Sequence, residues 1–129
     1  MSIVRISQQT EDDCLPCCIA MVLDETRGTV LSWFEGRPYN EISGMIEVLT
    51  SKGYIVEEFE TIGEAGALRR IVALVCPSQP EADGHAVVVD EDHYVVDPRS
   101  KTTAKKTLLD YALTGYTPQR VFVVTKKAL

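Results

Sequence analysis

A chain of 129 residues, 45% apolar and 25% charged, has the size and composition of one soluble globular domain that can fill a core without staples. The net charge of −6 weighs against nucleic acid as a partner, and no apolar run approaches the roughly 20 residues of a membrane span. Residues 1–96 carry 6 Lys+Arg against 17 Asp+Glu and residues 97–129 carry 7 against 2, so a basic tail either offsets an acidic front within the chain or binds an acidic partner.

In chain order, residues 3–7 read as a short strand. A helix should begin near Cys14, with Asp13 as its N-cap and Pro16 tolerated in the first turn. Leu15 to Leu23 are apolar all round, so this helix should be buried on every side. Thr29–Tyr39 reads as a loop whose Trp33, Phe34 and Tyr39 either pack or line a groove. Residues 40–52 read as a second helix, capped by Asn40, with Ile42, Met45, Ile46 and Leu49 on one face and Gly53 ending it. Tyr54–Glu60 reads as a strand, 63–70 as a weak helix, and Ile71–Cys76 as a buried strand stopped by Pro77. His85–Asp97 reads as a hairpin with acidic residues at its tip, 107–114 as a short helix, and Val121–Thr125 as a last strand. Helices first and most strands later predict an α+β fold with a largely antiparallel sheet.

The chemistry centres on Cys14. A thiol attacks only as thiolate, and the unpaired N–H groups of a helix start lower its pKa. Cys17 and Cys18, one turn further in, are expected to be inert core residues. A nucleophilic cysteine needs a base, and the base needs an orienting group. Of the two histidines, His85 opens an apolar strand and Asp97 closes the next one, whereas His93 falls at the hairpin tip. With Asp90-Glu91-Asp92 as the loop, His85 opposes Asp97 and the pair shares a face; a two-residue loop would put Asp97 on the other face. An oxyanion needs donors as well. The Cys14 backbone N–H can be one, and a side-chain amide from Gln8 or Gln9 the other.

The pattern Gln8-x5-Cys14, with Asp13 before the cysteine, an apolar helix after it, His85 opening a strand and Asp97-Pro98 following, resembles papain-like cysteine peptidases. It is most similar to the bacteriocin-processing peptidases that cleave double-glycine leaders. That resemblance spans about residues 5–125 and implies a papain-like fold, with a buried N-terminal catalytic helix packed on an antiparallel sheet. It also implies roles: Gln8 as oxyanion donor, Cys14 as nucleophile, His85 as base and Asp97 as its orienter. The partner implied is a peptide or protein substrate, and no cofactor or metal is implied. The chain departs from the family pattern in having Leu15 where glycine usually follows the cysteine, and in a short His-to-Asp interval.

Three other readings compete. Cys14, Cys17, Cys76 and His85 could bind zinc, although Pro16 sits inside the knuckle. Cys14-Leu15-Pro16-Cys17 could be a redox motif, which leaves Gln8, His85 and Asp97 unexplained. The domain could also be an inactive papain-like binding module. Met1 to Arg5 lack the basic-then-apolar plan of a secretory signal, so a cytoplasmic site, where thiols stay reduced, is expected.

Overall fold

The computed structural model describes residues 3, 5–7, 9–10, 13–39, 41–61, 73–77, 85–90, 92–100, 105–113 and 118–126, with the backbone alone described at 73–77, 118–119 and 126. Three helices come first: α1 (Cys14–Leu23), α2 (Arg27–Phe34) and α3 (Ile42–Ser51). Six strands follow, β1 (Tyr54–Phe59), β2 (Ala73–Pro77), β3 (Val87–Val89), β4 (Tyr94–Val96), β5 (Lys106–Thr107) and β6 (Pro118–Lys126), with a short helix α4 (Leu108–Ala112) directly after β5. They form one sheet in the order β1-β6-β2-β3-β4-β5, and every neighbouring pair is antiparallel. The last strand therefore inserts between β1 and β2.

Both faces of the sheet are covered. Phe122 and Val124 of β6 join Val88 in a core with α1, Val30, Phe34 and the Met45, Val48 and Leu49 face of α3. Val121 and Val123 join Val87, Val89 and Val95 on the opposite side, with Phe59, Leu108 and Tyr111 packed over them. A sheet buried on two sides is why 121–124 is a continuous apolar run rather than an alternating one. Helix α1 has the all-round burial its composition predicts, from Cys14 to Met21.

Several expectations are corrected. Residues 3 and 5–7 form no strand, and 63–70 lies outside the described residues. Thr29–Phe34 of the segment read as a loop belongs to α2, whose Thr26 side chain accepts from the Thr29 N–H as an N-cap. Phe34 is a core residue, and Trp33 and Tyr39 pack against that core, so these aromatics are structural. The N-cap position of α3 is Glu41, which makes no side-chain cap bond; Asn40 lies outside the described residues. Gly53, at φ +89°, does turn the chain out of α3 into β1.

Candidate active site

Cys14 is the first residue of α1, where the helix leaves its N–H groups without partners inside the helix. Asp13 occupies the N-cap position, but its carboxylate makes no cap bond. It turns back instead. Oδ2 accepts from the Gln9 N–H at 3.0 Å and Oδ1 from the Thr10 N–H at 3.2 Å, while Arg27 of α2 pairs with Oδ2 at 2.6 Å. Burial acts to raise the Asp13 pKa, and the Gln9, Arg27 and Thr10 bonds outweigh it and hold the carboxyl below its usual range. The expected cap is thus a clamp that folds the segment ahead of Cys14 against α2, because an arginine within reach outcompetes the helix N–H groups for the carboxylate.

His85 stands just before β3 and Asp97 just after β4. The hairpin register pairs Val88 with Val96 and Val89 with Val95, which leaves three residues between Asp90 and Tyr94. The loop is therefore one position later at each end than the Asp90-Glu91-Asp92 reading. The physical reason is Asp90: its Oδ1 accepts from the N–H groups of Asp92 and Tyr94, both at 2.9 Å. His93 takes the left-handed conformation at φ +68° and is exposed at the tip. Continued outward, this register sets Asp97 opposite Val87, two positions past His85. A shift of two keeps the face, so the pair is diagonal rather than directly opposed. Their side chains still meet: His85 Nε2 lies 2.7 Å from Asp97 Oδ1.

The Asp97 carboxylate is held at both oxygens. Oδ1 also accepts from the Arg99 N–H at 2.8 Å, and Oδ2 accepts from the Tyr111 hydroxyl at 2.7 Å. Burial acts to raise its pKa, but the His85 bond and charge, the Arg99 N–H and the Tyr111 hydroxyl keep it below the ordinary carboxyl value.

With Nε2 taken by Asp97, the buried Nδ1 of His85 is the nitrogen left for the Cys14 thiol. The Cys14 and His85 side chains interact through a hydrogen bond as well as through charge. This couples the two groups. Burial raises the Cys14 pKa; the His85 hydrogen bond, the Ala86 backbone N–H and the charges of His85 and Arg99 more than reverse this, so the thiol ionises below its usual value. For His85, burial lowers the pKa, and the Asp97 and Cys14 interactions more than restore it, so the ring stays protonated above its ordinary value. The combined effect favours a thiolate–imidazolium pair.

Cys17 is the opposite case. It is fully buried, and desolvation followed by the Asp13 charge pushes its thiol up to about 11. Cys18 is buried in the core. Those environments make a Cys14–Cys17 dithiol lopsided, with one thiol easily ionised and the other not. The side chain of Cys76 lies outside the described residues, and among the described residues no group of three or more His, Cys, Asp and Glu is arranged to hold a metal ion. Gln8 also lies outside the described residues; its neighbour Gln9 contributes a backbone N–H to Asp13. Cys14, His85 and Asp97 are brought together. Sequence reasoning passed over Tyr111, the Arg99 and Ala86 N–H groups and Arg27. Backbone donors carry no sequence signal, and a tyrosine in a short helix 14 positions beyond Asp97 carries little.

This mixed helix and antiparallel-sheet fold is shared with double-glycine peptidase domains of known structure. The peptidase domain of Streptococcus ComA, a bifunctional ABC transporter involved in a quorum-sensing pathway, superposes with a TM-score of 0.73 at 12% identity, covering 98% of this chain and 100% of that one. A double-glycine motif protease from an AMS/PCAT transporter, solved in complex with its leader peptide, gives 0.69 at 14% identity, covering 98% and 93%. No protein-family profile and no curated protein matches the sequence. Among the described residues no helix is long and apolar enough to cross a membrane.

Proposed function

We propose that the chain is a single-domain cysteine peptidase in which Cys14 is the nucleophile, His85 the acid–base and Asp97 the orienting carboxylate. The observation that carries this reading is one buried line of groups. A thiol at a helix start faces a histidine, and that histidine's far nitrogen is 2.7 Å from a carboxylate. The Cys14 thiolate attacks the scissile carbonyl carbon, forming the C–S bond and moving the π pair onto oxygen. Collapse of that intermediate breaks the C–N bond as the His85 imidazolium gives its proton to the leaving amine. Neutral His85 then takes a proton from water, which attacks the thioester and releases the acid and the free thiol. The Cys14 N–H and the Gln8 side-chain amide are the proposed oxyanion donors, Gln8 on the strength of its place six positions before the cysteine.

The leader peptide bound to one structural neighbour supports a peptide substrate, and peptides ending in a double glycine are the first to try. Action inside the cell, where the thiols at Cys14, Cys17 and Cys18 would stay reduced, is part of this reading. The test is labelling with a peptidyl electrophile ending in Gly-Gly, followed by peptide mapping. A single adduct on Cys14, lost in Cys14→Ala and kept in Cys17→Ala, is expected. Equal labelling of Cys17, or adducts that survive Cys14→Ala, would overturn the assignment.

A further inference from the structure

We infer that Tyr111 is a positioning residue for this site, its hydroxyl fixing the plane of the Asp97 carboxylate and so the aim of the His85 ring. This rests on the Cys14–His85–Asp97 reading above. His85 Nε2 and the Arg99 N–H both bind Oδ1, which anchors one oxygen but leaves the carboxylate free to swing about it. The Tyr111 hydroxyl binds Oδ2 at 2.7 Å and removes that freedom. Burial first, and then the Asp97 bond and charge, push the phenol well above its ordinary pKa, so the hydroxyl keeps its proton and acts only as donor.

The helix that carries Tyr111 is built to hold it still. Only five residues long, α4 has a capping box in which the Thr107 hydroxyl accepts from the Asp110 N–H and Asp110 Oδ2 accepts from the Thr107 N–H. The Tyr111 ring packs on the apolar cluster of the sheet's second face. Beside it opens a cavity of about 240 Å³ lined by Asp97, Arg99, Ser100, Lys106, Asp110 and Tyr111. A carboxylate beside such a space needs a fixed donor from the protein. Among the described residues, the ionisable groups around Asp97 are His85 before β3, Arg99 after β4, Lys106 of β5, and Asp110 and Tyr111 of α4; Arg5 acts on Tyr111 from the N-terminal segment.

The test uses the full chain and iodoacetamide, so no substrate is required. Tyr111→Phe keeps the ring and its packing and deletes only the O–H. Asp97 then loses the donor that fixes its plane, the His85 ring loses its aim, and the imidazolium holds the thiolate less well. The acid limb of Cys14 alkylation, followed from pH 4 to 9, is expected to move to higher pH by up to about one unit, with several-fold slower labelling near pH 6. Val48→Ala, which thins the core at α3 and leaves α4 and the phenol in place, is expected to lower stability without moving the limb. An unmoved limb in Tyr111→Phe, or an equal shift in Val48→Ala, overturns the inference. A parent chain whose Cys14 shows no limb below the ordinary thiol range overturns the catalytic reading and this one with it.

Discussion

At Asp97 the balance of forces can be read from its three donors. Burial alone would neutralise the carboxyl, and a neutral carboxyl could neither orient His85 nor stabilise its charge. The folded Asp97 value lies below the ordinary carboxyl value of 3.8, so its contribution to stability is full above about pH 3.8 and is lost as pH falls through the folded value. The folded His85 value lies above the ordinary imidazole value of 6.5, so its contribution is full below that pH and is lost as pH rises through the folded value. Between those limits both partners are charged. In a Cys14→Ala background, which removes thiolate titration, Asp97→Asn is therefore expected to cost about 1.5–3 kcal/mol at pH 5.5, the worth of a hydrogen bond to a charged group. The cost should shrink at pH 3 and at pH 9. Urea midpoints at the three pH values check this, and a cost independent of pH would mean the pair is not ionic. The residues of this site were legible in the sequence because each must be of one chemical type. Their mutual placement was not, because the loop hinges on how Asp90 spends its side-chain oxygen, and a periodic pattern carries no information about that.

On the scale of elements, Asp13 joins what the sequence separates. It lies between the segment ahead of Cys14 and α1, and through Arg27 it ties both to α2. Helix α2 escaped sequence reading for physical reasons. Gly28 and two β-branched residues depress its propensity, and its stability comes from the Thr26 cap and from burying Val30 and Phe34. Asp13 itself was legible as a residue of helix-start type, but its partner was not, since Arg27 sits in a stretch with no visible pattern. Removing Arg27 leaves a buried carboxylate with two backbone donors and no counter-charge. Because Arg27 is partly exposed, with a side-chain accessibility of 21%, water can replace part of the loss. Arg27→Met is expected to cost about 1–3 kcal/mol. Arg27→Met with Asp13→Leu should cost less than the sum of the two single changes, because no charge is left stranded. A double-mutant cycle in urea measures the difference, and strict additivity would show that the clamp contributes nothing beyond its two halves.

The whole molecule is organised by β6, which a reading along the chain could not place. Its apolar run announces a strand with two buried faces, yet nothing local says that the last strand runs between β1 and β2. Only the folded chain does, with Val56 opposite Val124 on one side and Leu74 opposite Phe122 on the other. Phe122 consequently bridges the layers: it is fully buried in the core that also holds Cys14, Ile19 and Ala86, so the floor under α1 depends on it. Val123, one residue on, belongs to the cluster on the other face of the sheet. Phe122→Ala is expected to cost about 3–5 kcal/mol through lost burial and an incompletely collapsed cavity, a large share of the roughly 5–15 kcal/mol that holds a domain folded. Val123→Ala removes two carbons and should cost about half as much or less. The two also differ in kind. In conditions where both variants remain folded, Phe122→Ala should loosen α1 and slow selective alkylation of Cys14, since the thiol loses its fixed approach to His85. Val123→Ala should leave that rate near the parent value. Urea midpoints and Cys14 labelling rates on the same samples decide it. Equal penalties with equal labelling would mean that α1 does not depend on the central strand for its position.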